Sequence, residues 1–354
     1  MAAVLKSHYS FIFMYYPLAK KILASLPERN REVLVRRYGF SGEPETLEAI
    51  GDDYEITRER VRQLENAAFE RLSANGSKED AETAFKTLAK HLEEHGQLRR
   101  EERFLEEIAS PKERPAVLFL LELGDYFGRH RETEHRHTVW ATSKDAVSDA
   151  EAFNKTFARH LTDTFREALD EKSFWKEVEA YARAQGLRAE EKALRSWIDA
   201  SKLVGQGPLG MWGLVDWADV SPKGAGDRAW LVFKKEGKPL HFEDLAELIN
   251  KKYFNDEDTR PVHMQTVHNE LIKDDRFVLV GRGMYGLADW GYAAGTVKDV
   301  IVSILKKANK PMRKEDVLAQ VFEQRMVKPA TVLLGLSDRK KFVRTPDGRY
   351  SLRA

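Results

Sequence analysis

Arg58, Glu59, Arg60, Arg62 and Gln63 fall within six consecutive positions. Together they form a set of side chains suited to reading nucleic-acid bases. Arginine grips guanine through two parallel hydrogen bonds, glutamine suits adenine, and a carboxylate accepts from the amino group of cytosine. The same residues also suit a solvated helix face, because Arg58 and Arg62 alternate with Glu59 and Glu65 at helical ion-pair spacing. Charge alone does not separate the two readings. A second concentration lies at the end of the chain, where residues 293–354 hold 14 basic and 6 acidic side chains, an excess of +8. Lys298, Lys306, Lys307, Lys310, Arg313 and Lys314 surround its first helical segment, and Arg339, Lys340, Lys341 and Arg344 flank its final hairpin. A phosphate backbone would fit there, with log affinity falling as salt rises. The plainer alternative is that these side chains only keep a small terminal segment soluble.

Other constellations are weaker. Gly205–Gly210 and Gly281–Gly286 both match G-x-G-x-x-G, but a dinucleotide fingerprint must follow a strand and open a helix. Both of these sit at expected hairpin tips. His130, His135 and His137 have no helical face and no zinc-ligand spacing, so they read as a solvated loop near phosphate. Asp256, Glu257 and Asp258 read as a solvated acidic loop. The chain has no Cys, which excludes thiolate metal sites, disulfides and cysteine nucleophiles. No metal, no cofactor, no small-molecule substrate and no enzymatic activity are expected.

The elements that must present these residues follow from periodicity. Pro27 and Glu28 open a helix carrying Val33, Leu34 and Tyr38, and Gly39 stops it. Thr46 caps a short helix with Leu47 and Ile50 inward, ending at Gly51. Thr57 caps a longer one, Arg58 to Leu72, with Val61, Leu64, Ala68 and Leu72 inward. Helix, short turn and longer helix make a helix-turn-helix, whose second helix offers its N-terminal residues to the major groove.

Behind it lies a repeat. Trp140, Trp212, Tyr285 and Tyr350 each sit in a short β-like run, preceded by another run and by helix-period segments. The earlier runs are 125–127, 202–204, 276–280 and 341–344. Helices followed by a hairpin in about 65 residues describe a winged helix, with each aromatic covering its own core in preference to stacking on bases. The expected fold class is mainly α: a helix-turn-helix at 1–76, then tandem winged-helix-like modules with small β-hairpin wings at 77–145, 146–222, 223–292 and 293–354. Linkers are expected at 74–77, 143–148, 221–226 and 292–295.

Two segments resemble known families. Ile56-Thr57-Arg58-Glu59-Arg60-Val61-Arg62-Gln63-Leu64-Glu65, with Leu26-Pro27-Glu28-Arg29-Asn30-Arg31-Glu32-Val33-Leu34, Arg37-Tyr38-Gly39 and Thr46-Leu47-Glu48-Ala49-Ile50-Gly51, resembles the fourth conserved region of bacterial sigma factors. That resemblance implies reading of the promoter −35 element and contact with the β-subunit flap of RNA polymerase. It implies that Arg58, Glu59, Arg62 and Gln63 face bases and Arg60 the backbone. The residues ahead of the match are too few for a −10-reading region, so complete initiation activity is not expected. Leu245-Ala246-Glu247-Leu248-Ile249, Thr266-Val267-His268-Asn269-Glu270-Leu271 and the run Arg276–Leu287 are similar to the HARE-type helix-turn-helix. That family includes a domain of the RNA polymerase delta subunit and domains of chromatin and restriction proteins.

The whole chain carries 58 basic and 57 acidic residues, so any nucleic-acid contact must be local. Residues 77–222 have a charge balance of −6. The apolar run 11–18 is too short to span a membrane and lacks a signal-peptide cleavage pattern, so a cytoplasmic protein and a buried helix start are expected. The expected function is a bacterial DNA-binding transcription regulator that acts on double-stranded DNA with RNA polymerase. The alternatives are a polymerase accessory protein working mainly through protein contacts, or an accessory component of a DNA-modification system.

Overall fold

The computed structural model describes residues 15–254, 260–292 and 295–353. The acidic loop 256–258, part of the apolar run 11–18 and part of the 292–295 junction lie outside the described residues.

A helix covering 15–24 (α1) leads into α2 (Glu28–Tyr38), α3 (Leu47–Asp53) and α4 (Arg58–Ala74). The expected punctuation holds. Gly39 closes α2 at φ 78°, a left-handed conformation that costs glycine little. Thr46 Oγ1 accepts from the Ala49 amide at 3.1 Å and Thr57 Oγ1 from the Arg60 amide at 3.2 Å. Each cap satisfies an amide left open at a helix start. Val33, Ile50 and Val61 meet at the centre of the three helices. One expectation fails: α3 does not stop at Gly51 but runs to Asp53. Gly51 is required for space, because a Cβ there would lie 2.7 Å from the Ile56 carbonyl oxygen. The Ile56 amide in turn donates to the Gly51 carbonyl at 2.9 Å, which sets the tight turn between α3 and α4.

The chain continues through α5 (Ser77–Glu94), β1 (Leu98–Arg100), α6 (Glu101–Ile108), α7 (Arg114–Leu123), β2 (Gly128–His130) and β3 (Val139–Ala141). The strands form an antiparallel sheet in the order β1-β3-β2. Asp125–Phe127, expected as a strand, precedes β2 and lies outside it. The extended linker expected at 74–77 is instead a tight junction. Gly76 adopts φ 80° between α4 and α5, and one core runs from Tyr15 through Leu34, Leu72, Phe85 and Phe119 to Trp140. Likewise Ser143 is no linker residue. It caps α8 (Lys144–Thr164), which is followed by α9 (Glu171–Ala184) and α10 (Glu191–Asp199). The Ser196 hydroxyl donates to the Leu98 carbonyl at 2.6 Å, tying α10 to β1.

The described chain divides into two compact units at Gly205–Gln206, within the hairpin of β4 (Val204–Gln206) and β5 (Trp212–Leu214). The second unit holds α11 (Gly224–Glu236), β6 (Leu240–His241), α12 (Phe242–Leu248), a π-turn at Ile249–Tyr253, α13 (Met264–Lys273), β7 (Phe277–Gly281) and β8 (Met284–Leu287). Their sheet order is β6-β8-β7. The 221–226 stretch is thus partly helical, since α11 begins at Gly224. Next come α14 (Val297–Ala308), α15 (Lys314–Gln324), α16 (Pro329–Leu336), β9 (Phe342–Arg344) and β10 (Tyr350–Leu352). The fold is mainly α with small antiparallel hairpins. Trp140 and Tyr285 are buried, and Tyr350 packs against the core formed by α14, α15 and α16. Buried Arg325 donates to the carbonyls of Leu279 and Gly295, and the Met326 amide to the Val280 carbonyl at 2.9 Å, so the last helices are anchored on β7.

Gly51→Ala is expected to destabilise the first unit by about 1–3 kcal/mol, the usual cost of forcing extra volume into a packed site. Urea unfolding followed by circular dichroism checks this. An unchanged midpoint would show that the α3–α4 turn relaxes around the new methyl.

Candidate nucleic-acid interface

Arg58, Glu59, Arg60, Arg62 and Gln63 are all exposed on the first two turns of α4, while Val61, Ala68 and Leu72 on its other face are buried. The helix therefore projects all five away from the core. Two internal pairings order them. Arg62 donates to both oxygens of Glu59, at 2.9 and 2.7 Å, and Arg60 donates to Gln63 Oε1 at 3.0 Å. The Arg62 guanidinium holds the Glu59 carboxyl below the ordinary carboxylate range, and Glu59 raises Arg62 in return. The helical ion-pair reading and the base-reading arrangement thus coexist on one surface.

A rigid platform holds α4. Arg36 on α2 donates from Nε to Glu45 Oε1 at 2.9 Å, also bonds Asp53 at the end of α3, and lies over the Tyr54 ring at 5.6 Å. Its guanidinium is raised, chiefly by Glu45. Arg37 donates to the Glu45 carbonyl at 3.0 Å. The loop between α2 and α3 is therefore clamped at its C-terminal end. Beneath, Phe119 of α7 stacks on Phe69 of α4 at 5.9 Å and meets Tyr38 and Phe40 edge-on at 5.9 and 6.0 Å. Sequence reasoning missed this contact. The α7 run Arg114–Leu123 reads as generic core, and nothing in its spacing names its partner.

The C-terminal cations do not form one group. Lys298 binds Asp338 at 2.7 Å and Lys341 binds Asp299 at 3.2 Å, so these two fasten α14 to the turn before β9. Lys306 and Lys307 are exposed on the last turn of α14, with Lys310 just beyond. There they also complement the negative end of the helix dipole. Arg339 and Lys340 are exposed in the α16–β9 turn. Arg313, Lys314 and Arg344 come together with Arg349 in an open groove of about 690 Å³, which also contains Leu333, Glu315 and Asp347. Arg349 was not singled out from the sequence, although its place beside Tyr350 on the wing was a usable signal. The loop holding His135 and His137 is closed by buried Arg136, which donates to the carbonyls of His130, Arg131 and His137 and to Glu151.

On α13, Gln265 and Asn269 are exposed and hydrogen-bond each other at 3.0 Å, and His268 stacks on Phe242 at 4.4 Å. Among the described residues no helix is long and apolar enough to cross a membrane.

Comparison with known proteins agrees with both resemblances. Residues 22–74 match the sigma-70 region 4 family, and residues 227–290 match the HARE-HTH family, the ASXL and restriction endonuclease HTH domain. The N-terminal segment is 48% identical over 54 residues to the RNA polymerase sigma factor SigA of Nostoc, covering 15% of this chain and 14% of that protein. It is 49% identical over 51 residues to the sigma factor RpoS of Coxiella burnetii, covering 14% of each. It is 46% identical over 52 residues to SigA1 of Synechococcus elongatus, covering 14% of this chain and 13% of that protein. The chain thus spans about one-seventh of the length of the curated relatives it matches. Both matched segments are of helix-turn-helix type, and the first has the α2–α3–α4 geometry described above.

Phe119→Ala is expected to cost about 3–5 kcal/mol, the usual range for truncating a buried aromatic, and to speed amide exchange in α4. Hydrogen exchange on the full chain checks this. Unchanged protection in α4 would show that the helix-turn-helix does not depend on α7.

Proposed function

We propose that this protein is a DNA-binding transcription regulator that acts with RNA polymerase and reads promoter-type DNA through α4. The observation that carries the reading is the set of five exposed polar side chains at the capped start of α4, on a helix-turn-helix matching sigma-70 region 4. Arg58, Glu59, Arg62 and Gln63 contact base edges, and Arg60 the phosphate backbone. Contact with the β-subunit flap of the polymerase belongs to the same reading. Behind this head the chain is organised as winged-helix-like modules at 77–145, 146–222, 223–292 and 293–354. The last supplies a sequence-independent contact through Arg313, Lys314 and Arg344, with Lys306, Lys307, Lys310, Arg339 and Lys340 adding to the field. Lys298 and Lys341 serve mainly as internal clamps.

A separate observation supports protein contacts as well. α16 has the sequence Pro-Ala-Thr-Val-Leu-Leu-Gly-Leu, with no side chain able to read a base, and leaves Leu333 37% and Leu334 72% exposed. Apolar exposure at this position suits a protein surface, such as polymerase, better than a DNA groove.

In site selection from random duplexes, Arg62→Ala should relax preference at one position, losing about 1–3 kcal/mol of discrimination there. The same preferred sequence for wild type and variant would remove Arg62 from base readout. Retention of the full chain on immobilised core RNA polymerase checks the partner, and failure to bind core would leave a regulator acting on DNA alone.

In a salt series on random duplex, replacing Arg313 and Arg344 together by Ala should lower the slope of log affinity against log salt by about 0.9 for each phosphate that is no longer neutralised. An unchanged slope and affinity would make the groove plain surface.

A further inference from the structure

We propose that His91, His95 and Glu107 form a binding site for a divalent transition-metal ion of the zinc class. His91 and His95 stand one turn apart near the end of α5, on the same helix face, with their rings stacked at 4.4 Å. Glu107 reaches them from α6. A ligating atom from each of the three lies within 4.8 Å of the others, and all three residues are half-buried. His91 Nε2 and Glu107 Oε2 are 3.0 Å apart. Two ligands bound at roughly 2.0–2.1 Å to a tetrahedral ion stand about 3.3 Å apart. An ion entering between these two therefore needs them to separate by only a few tenths of an ångström.

The surroundings suit ligation. His95 Nδ1 lies 2.7 Å from the His91 carbonyl oxygen. A proton on Nδ1 makes that contact a hydrogen bond and leaves the Nε2 lone pair for a metal, the outer support that ligating histidines commonly have. Burial keeps the His95 ring below its ordinary pKa, hence neutral. Arg99 donates from Nε to Glu107 Oε2 at 3.0 Å and also bonds Oε1, fixing the carboxylate plane. Each carboxylate oxygen carries two lone-pair sites, so Oε2 can serve Arg99 and a metal together. Arg99 is itself shared with Asp199 at 3.3 Å, which offsets its charge beside an incoming cation. Phe104 packs against the His91 ring at 5.5 Å and shields one side.

Two imidazoles and one carboxylate select zinc, cobalt, nickel or copper over magnesium or calcium, which prefer oxygen ligands throughout. Three protein ligands leave a fourth position for water or another donor. Bound there, the ion would fasten the end of α5 to α6, beside the β1 strand that carries Arg99.

The test is a zinc titration of the untagged full chain, by calorimetry and by competition with a chromophoric chelator. It is repeated on His95→Ala and on Glu107→Gln, a near-isosteric change that spares the fold should the first variant not survive it. The expected result is one equivalent bound by wild type and a loss of affinity of about tenfold or more in each folded variant. Zinc should also raise the unfolding temperature of wild type and leave the variants unmoved. Failure of wild type to bind zinc, or equal affinity in wild type and Glu107→Gln, would overturn the proposal and leave an ordinary His91–Glu107 hydrogen bond. Binding kept in Glu107→Gln but lost in His135→Ala would place the ion between β2 and β3 and overturn it equally.

Discussion

The ring of Phe119 is the contact on which the first unit turns. Tyr38, Phe40 and Phe69 close around it, so the helix-turn-helix and the helices that follow share one core. Taken alone, α2, α3 and α4 bury only Val33, Ile50 and Val61 fully at their own centre. So small a centre would hold a recognition helix loosely. Because α7 supplies the rest, the five polar residues of α4 are presented from a rigid body.

That solution has a consequence for the module that provides it. In a winged helix the third helix is the one free to enter a groove. Here α7 is almost wholly buried, with Ala116, Val117, Phe119, Leu120, Leu121 and Leu123 inside. Its side chains are committed to the helix-turn-helix and cannot also face DNA. The equivalent helix α16 is free but apolar, whereas α13 keeps Gln265 and Asn269 outward. One architectural plan therefore gives helices with different capacities: α4 and α13 offer base-reading chemistry, α7 is structural, and α16 offers an apolar face. The charge distribution fits this division, since the acidic balance falls on residues 77–222, around α7, and the basic excess on the final segment.

Much of this was legible in the sequence where a local rule decides the outcome. Thr46 and Thr57 announce helix starts, Gly39 a stop, and the inward set Val61, Ala68 and Leu72 fixes which way Arg58 and Arg62 must point. The hairpin aromatics gave the repeat, because a module of that size needs a large ring over its core. What stayed hidden depends on partners distant in sequence. Gly51 looks like a helix stop, and only the approach of the Ile56 carbonyl shows why it sits inside α3. Ala74–Ser77 has linker composition, yet Gly76 makes a sharp corner because α4 and α5 bury faces in the same core. Lys298 and Lys341 read as part of a basic patch, but Asp338 and Asp299, about forty residues away in each case, take them as partners. His91 and His95 carry helical ligand spacing, but Glu107 joins them only through the packing of α6.

The pairing of Arg62 with Glu59 bears on whether an internally satisfied surface can still read DNA. Both side chains are more than half exposed, and exposed ion pairs of this kind contribute only about 0–1 kcal/mol. A bidentate contact to the correct base is worth about 1–3 kcal/mol of discrimination. The exchange of Glu59 for guanine therefore runs in favour of DNA where the base is right and gains nothing where it is wrong. Until then the pair holds the guanidinium in one orientation and limits the entropy lost on docking. Glu59 is released at the same moment and becomes available to a cytosine amino group one step away. The ion pair seen on free α4 is in this sense a resting arrangement of the reading set, and its weakness is what allows that set to respond to sequence.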